Sequence, residues 1–172
     1  IRKKLGIINK LREDNKRLKE QMQEQQKNLQ KYAKEYYLMG NECITHMHDT
    51  RAALANYDKA IELYPDYANA WVRKGVTLFN ADRINEAEAC LDKAVRLRPM
   101  EFKTVYNRGK LRLHTGDTEG AIADLDKATT LKPQHAGAHE CFGDALTQAG
   151  KEMEAAIQYR LAEELRKRKS NQ

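Results

Sequence analysis

Residues Ala68–Glu101 read ANAWVRKGVTLFNADRINEAEACLDKAVRLRPME, and they form one unit of a repeat. The chain has three prolines, Pro65, Pro99 and Pro133, each 34 residues after the last. Gly75, Gly109 and Gly143 keep the same step. So do two alanine columns, Ala53/Ala87/Ala121/Ala155 and Ala60/Ala94/Ala128/Ala162. Four columns on one period point to stacked helical repeats.

The columns have a physical reading. Between each glycine and the next proline lie two helix-length apolar patterns, broken near Asp82, Gly116 or Gly150. Each unit is therefore expected to be a pair of antiparallel helices. Gly75 and Ala87 are small because the two helices cross closely there, with Trp71, Leu78, Leu91 and Leu97 filling the space around the crossing. Pro99 stands just past the second helix, where its missing N–H ends the hydrogen-bond ladder.

Trp71, Gly75, Leu78, Ala87, Leu91, Ala94 and Pro99 together resemble the tetratricopeptide repeat. The resemblance covers residues 33 to 167. It implies an all-α fold, an α-solenoid of about four helix pairs, and a protein- or peptide-binding scaffold rather than an enzyme. The units are set at 33–67, 68–101, 102–135 and 136–169, with 170–172 as a tail. From Gly40 to Ala53 is one residue longer than from Gly75 to Ala87, so the turn around His46–Thr50 carries an insertion. Lys74 and Asp82 occupy sites where the family more often has an apolar residue and glycine. The column Ile61, Val95, Thr129 ends in Glu163, which marks the last helix as the end of the array or a solvated cap.

Residues 1–32 differ in kind. They hold no proline and one glycine, Gly6, and good helix formers dominate. With Ile1 at heptad position a, the residues Ile8, Leu11, Leu18, Met22 and Leu29 fall on one a/d seam, continued by Tyr32, Tyr36 and Met39. Lys4, Asn15 and Gln25 are its polar exceptions. Asn15 at an a position suits a parallel two-stranded register, with Asp14 facing Lys19 of the partner. The expectation is a coiled-coil helix at 1–32 that makes a homodimer and runs unbroken into the first repeat helix. A coil with a different chain, a solvated helix and a helix folded back on the array are the competing readings.

Charge is uneven. Residues 1–32 hold ten Lys/Arg against four Asp/Glu, and Arg166–Lys169 adds four more cations. The body between them is mildly acidic. Acids interrupt the basic residues of the N-terminal helix, so it lacks the dense arginine cluster of a DNA-binding helix. The glycine, alanine and proline columns also favour protein binding over an RNA-binding helical repeat. No run of about 18 apolar residues supplies a membrane span. Arg2-Lys3-Lys4 would fit the flank of an upstream anchor, and a chain beginning at Ile1 reads as a fragment. Cys43, Cys90 and Cys141 show no paired spacing, which favours a reducing, cytoplasmic setting over a disulfide framework.

In this family the first helices of the pairs line a concave groove. The resemblance places Tyr37, Asn41, Arg73, Lys103, Tyr106, Asn107 and Lys110 there, with Val72 and Val76 between them. Lys103, Asn107 and Lys110 form one stripe on one helix. Glu140 and Asp144 follow on the next. Such a groove suits a partner peptide of acidic character. Co-chaperone members clamp the free carboxylate of chaperone tails with five polar residues. Asn41 and Lys103 match that set, whereas Tyr37, Arg73 and Asn107 depart from it, so this is the second reading. No catalytic residue, cofactor or metal is expected. Cys43, His46, His48 and Asp49 cluster without a second ligand pair, and no nucleophile motif or phosphate-binding glycine loop occurs. Cys90 and Cys141 read as small hydrophobes within helices.

Overall fold

The computed structural model describes residues 2–170. Ile1, Asn171 and Gln172 lie outside the described residues, as do the side chains of Arg2, Lys3, Lys4 and Leu5, so the start of the seam, its exception at Lys4 and the anchor reading fall there too.

The described residues form eight α-helices: α1 Arg2–Thr45, α2 Thr50–Leu63, α3 Ala68–Asn80, α4 Ile84–Leu97, α5 Phe102–Thr115, α6 Thr118–Leu131, α7 Ala136–Gln148 and α8 Glu152–Ser170. The short connections turn the chain back each time. α1 packs on α2, α3 on α4, α5 on α6 and α7 on α8, and each pair rests on the next. α3, α5 and α7 also touch in succession, making the inner layer of an α-solenoid.

The small-residue columns sit at the crossings. Ala53, Ala60, Ala87, Ala94, Ala121 and Ala128 are fully buried. A Cβ on Gly75 would lie 2.8 Å from Leu91 Cγ, and one on Gly109 2.8 Å from Leu125 Cγ. Glycine is required there by contact, and the leucine of the facing helix fills the space it leaves.

Each proline follows its helix by two residues. The cap residues Tyr64, Arg98 and Lys132 leave the helical region, with φ of −141°, −137° and −136° and ψ of 87°, 71° and 79°, as proline disfavours helix in the residue before it, and their N–H groups bond Ala60, Ala94 and Ala128 carbonyls. Two of these turns are tied down from the next helix. Trp71 Nε1 donates to the Pro65 carbonyl at 2.8 Å, and His139 Nε2 stands 2.9 Å from that of Pro133. Val105 holds the same column and has no such donor. Thr104 instead donates to the Arg98 carbonyl at 2.7 Å.

Between paired helices the turn needs a left-handed residue. Gly116 and Gly150 supply it, with φ of 81° and 73°. Asp82 takes the same conformation at φ 59°, where the family has glycine. The longer connection after α1 has His48 at φ 51°, and Asp49 then caps α2 by accepting from the Ala52 N–H.

α1 is one unbroken helix of 44 residues, about 66 Å long at 1.5 Å per residue. Burial begins at Ala33. Before it, Ile8, Leu11, Leu18, Met22 and Leu29 all stand exposed, Leu11 at 56% and Met22 at 67%. The helix extends past the array and is not folded back on it.

Candidate protein-binding groove

Hydrogen bonds among Tyr57, Asn41, Arg73, Asn107 and Lys103 shape the groove floor. Tyr57 is fully buried on α2 and donates from its hydroxyl to Asn41 Oδ1 at 2.9 Å. Arg73 Nε donates to the same oxygen at 2.8 Å. Asn41 is thus a strut between α1, α2 and α3. It fixes the Arg73 guanidinium through Nε. Burial raises the Tyr57 phenol above its usual range, so it stays a protonated donor. On α5, Asn107 Nδ2 donates to the Lys103 carbonyl, which holds the Lys103–Asn107 face in place.

These residues meet in a cleft of about 410 Å³. Tyr37, Asn41, Arg73, Lys103 and Asn107 line it, together with Asn69, Val72 and Val76. Its two charged lining residues are cations. A planar guanidinium held at one edge is suited to two parallel bonds with a carboxylate.

Two of the groove residues expected from sequence lie elsewhere. Tyr106 stacks on Phe102, 5.1 Å between centroids, and its hydroxyl is 3.8 Å from Cys141 Sγ. The ring reaches α7 beside Gly137, where a Cβ would sit in ordinary contact, 3.4 Å from the Tyr106 hydroxyl oxygen. Burial pushes the Tyr106 phenol far above its usual range. Lys110 lies over the Tyr106 ring, 5.6 Å from its centroid, and lines a neighbouring cleft of about 520 Å³ with His114, Cys141 and Asp144. Of the two acids on α7, Glu140 is paired with Arg166, and Asp144 accepts from the Tyr159 hydroxyl at 2.8 Å.

The other chemistry-bearing residues serve the fold. Cys43 and Cys90 are buried, Cys141 is half-buried, and all three are free thiols. Burial raises the Cys90 and Cys141 thiols, which leaves them poor nucleophiles. His135 caps α7 by accepting from the Ala138 N–H. His139 is buried, with Nδ1 at 2.8 Å from Gln158 Oε1. Neither the Asn41–Arg73 strut nor the inward Tyr106 was expected from sequence. Arg73, at the position where the carboxylate clamp carries an asparagine, is the available signal for the first.

The fold and this groove define a helical-repeat scaffold for protein–protein interaction. Sequence profiles of the tetratricopeptide repeat match residues 46–106 in one case and residues 77–136 and 106–171 in another, more than half of the chain. The chain belongs to the tetratricopeptide repeat family. Both profiles describe an interaction module, not a catalytic domain. Among solved structures, a crystal structure of MamA is 21% identical, with a TM-score of 0.73 over 81% of this chain and 81% of that one. A structure of MamA from Desulfovibrio magneticus RS-1, starting at its residue 41, is 24% identical, with a TM-score of 0.70 over 78% of this chain and 76% of that one. These likenesses concern the fold. No curated protein matches the chain. No helix among the described residues is long and apolar enough to cross a membrane.

Proposed function

We propose that this chain is a non-catalytic scaffold whose groove across α1, α3 and α5 grips an acidic segment of a partner protein. The observation that carries this is the Asn41 strut, which points a part-buried Arg73 guanidinium into a cleft shared with Lys103. Tyr37, Asn69 and Asn107 supply further polar contacts, and Val72 and Val76 an apolar strip. Lys110 and, behind it, Tyr106 extend the same face toward α7. The repeat units are 33–67, 68–101, 102–135 and 136–169. Residues 1–32 pair with a second copy through Ile8, Leu11, Asn15, Leu18, Met22 and Leu29, which gives two grooves per assembly and avidity through effective concentration. The three free thiols support a reducing, cytoplasmic setting.

The test is a displayed library of random dodecapeptides panned on the full chain. Enriched peptides are expected to be rich in Asp and Glu, and Arg73→Glu is expected to weaken them about tenfold to a hundredfold, the range for hydrogen bonds to a charged group. Binding indifferent to Arg73→Glu overturns the groove reading. The co-chaperone alternative predicts that amidating a peptide's C-terminus abolishes binding. Two observations weigh against it: Arg73 engages Asn41 Oδ1, and Tyr37 and Asn107 replace two of the cations a carboxylate clamp uses.

A further inference from the structure

A larger cleft, about 740 Å³, opens beside the groove at the edge where the proline turns stand. One wall carries Tyr64 and Tyr67, stacked with centroids 5.9 Å apart. Another carries Phe102, whose ring stacks on Tyr106 and holds the Lys132 ammonium 4.9 Å from its centroid. Leu97, Pro99 and Leu131 also line it, and Met100 lines it while 68% exposed. A methionine left this open is a flexible apolar contact with nothing of its own chain to cover it.

The repeat columns explain why the space is open. Tyr67, Glu101 and His135 occupy one column. Tyr67 lies 5.2 Å from Tyr37, and His135 lies 5.3 Å from Tyr106 and 4.7 Å from Phe102, so the units on either side of the second fill this position with a ring pair. The middle unit has Val72 and Glu101 at the corresponding sites. A ring is missing there, and the walls left behind are aromatic.

The cleft is continuous with the groove, because Asn69 and Lys103 line both. Its charged residues are Arg98, Lys103 and Lys132 against Asp66 and Glu101, so it keeps a net positive charge. A segment held by Arg73 and Lys103 has its next residues at this opening. We propose that the proline-edge cleft is a second subsite that receives an aromatic or long aliphatic side chain of the same acidic segment. The inference rests on the groove reading above and adds an apolar anchor adjoining the acidic residues.

The test uses the acidic dodecapeptides selected on the full chain, with Met100→Glu and Tyr64→Ala as variants at the cleft and helical circular dichroism as the check on folding. Selected peptides are expected to carry Phe, Tyr, Trp, Leu or Met within a few residues of the acids. Replacing that residue by Ala is expected to weaken binding at least tenfold on the native chain and by much less on either variant, as burial of one large apolar side chain requires. Acidic peptides that depend on Arg73 but lack an apolar residue overturn the subsite and leave the groove reading standing. Ala replacement that costs as much on the variants as on the native chain likewise overturns the subsite alone. A library that yields no peptide dependent on Arg73 overturns both.

Discussion

Arg108 holds Asp124 by two parallel hydrogen bonds, Nε and Nη2 each 2.8 Å from a carboxylate oxygen. Asp124 is 5% exposed and also accepts from Arg112 Nη1 at 3.0 Å. Arg108 reaches back to Asp92 on α4 at 3.0 Å, so one guanidinium joins α4, α5 and α6. The carboxylates around it raise the Arg108 pKa, the Asp124 bonds most of all. The preceding unit solves the same contact with apolar residues. Its Leu78 and Cys90 stand where Arg112 and Asp124 stand, and its Lys74–Asp58 pair at 2.6 Å corresponds to Arg108–Asp92.

That correspondence makes the network testable by transplantation. Asp124→Ala leaves two part-buried guanidinium groups without their shared carboxylate and is expected to destabilise by about 3 kcal/mol. The triple change Arg108→Lys, Arg112→Leu, Asp124→Cys copies the preceding unit and is expected to stay within about 1 kcal/mol of the native chain, because apolar replacement of a buried ion network is often neutral or better. Urea denaturation followed by circular dichroism measures both. A native midpoint for Asp124→Ala would show that the network adds nothing.

The glycine column gives a sharper contrast. Gly75→Ala puts a Cβ 2.8 Å from Leu91 Cγ and 3.3 Å from the Ala87 carbonyl oxygen, so α3 and α4 must move apart. The expected loss is about 1–3 kcal/mol. Gly6→Ala meets nothing within 4 Å on an exposed helix and should instead raise helix content, by up to about 1 kcal/mol of helix stability. Thermal melts of the two variants should shift in opposite directions.

Alkaline pH should weaken the fold, in a predictable window. Burial raises the Tyr57 and Tyr106 phenols from 10.0 and the Cys90 and Cys141 thiols from 9.0. Each is protonated and neutral in the folded chain over a range where the unfolded chain ionises. Their contribution is therefore whole below the unfolded values and is lost as pH rises from them through the folded ones. The melting midpoint is expected to hold from neutral pH to about 9 and then fall, more steeply above about 10. Tyr106→Phe should flatten the upper part while changing neutral-pH stability little, since its hydroxyl meets only a sulfur 3.8 Å away. Midpoints measured against pH, beside tyrosinate absorbance, decide this.

Sequence columns revealed the backbone of the fold because Gly75, Ala87, Ala94 and Pro99 are constrained by close approach and by a missing donor. The small residues recur in all four units and the proline in the first three, so they leave a period. The Arg108–Asp124 bond leaves none: it is one unit's substitute for a leucine contact, and only the pairing of Arg112 with Asp124 across two columns betrays it. The groove was legible to the level of a face. Tyr37, Asn41, Arg73, Lys103 and Asn107 meet at one cleft, whereas Tyr106 leans inward over Gly137. Its hydroxyl meets Cys141 on α7, a residue of the next unit that no reading of α5 alone contains.

The stripe on α1 is unpartnered among the described residues, and solution mass tests what covers it. Ile8, Leu11, Leu18, Met22 and Leu29 are exposed on a helix that overhangs the array by about 45 Å. Burying one such side chain is worth about 1.5–3 kcal/mol, so a paired seam would far outweigh the exposed ion pair Asp14–Arg17, whose atoms are 4.0 Å apart. Light scattering on the full chain is expected to give a dimer. Leu11→Glu with Leu18→Glu should give a monomer with its repeat helices intact, because neither residue touches the array. Asn15→Ile should strengthen association and admit higher states, since an asparagine buried at an a position of a paired seam would restrict it to two strands at a cost in stability. A monomer before and after Leu11→Glu/Leu18→Glu would assign the stripe to a different chain, and α1 would become the bait for it. A dimer that survives both changes would place the contact in the repeats.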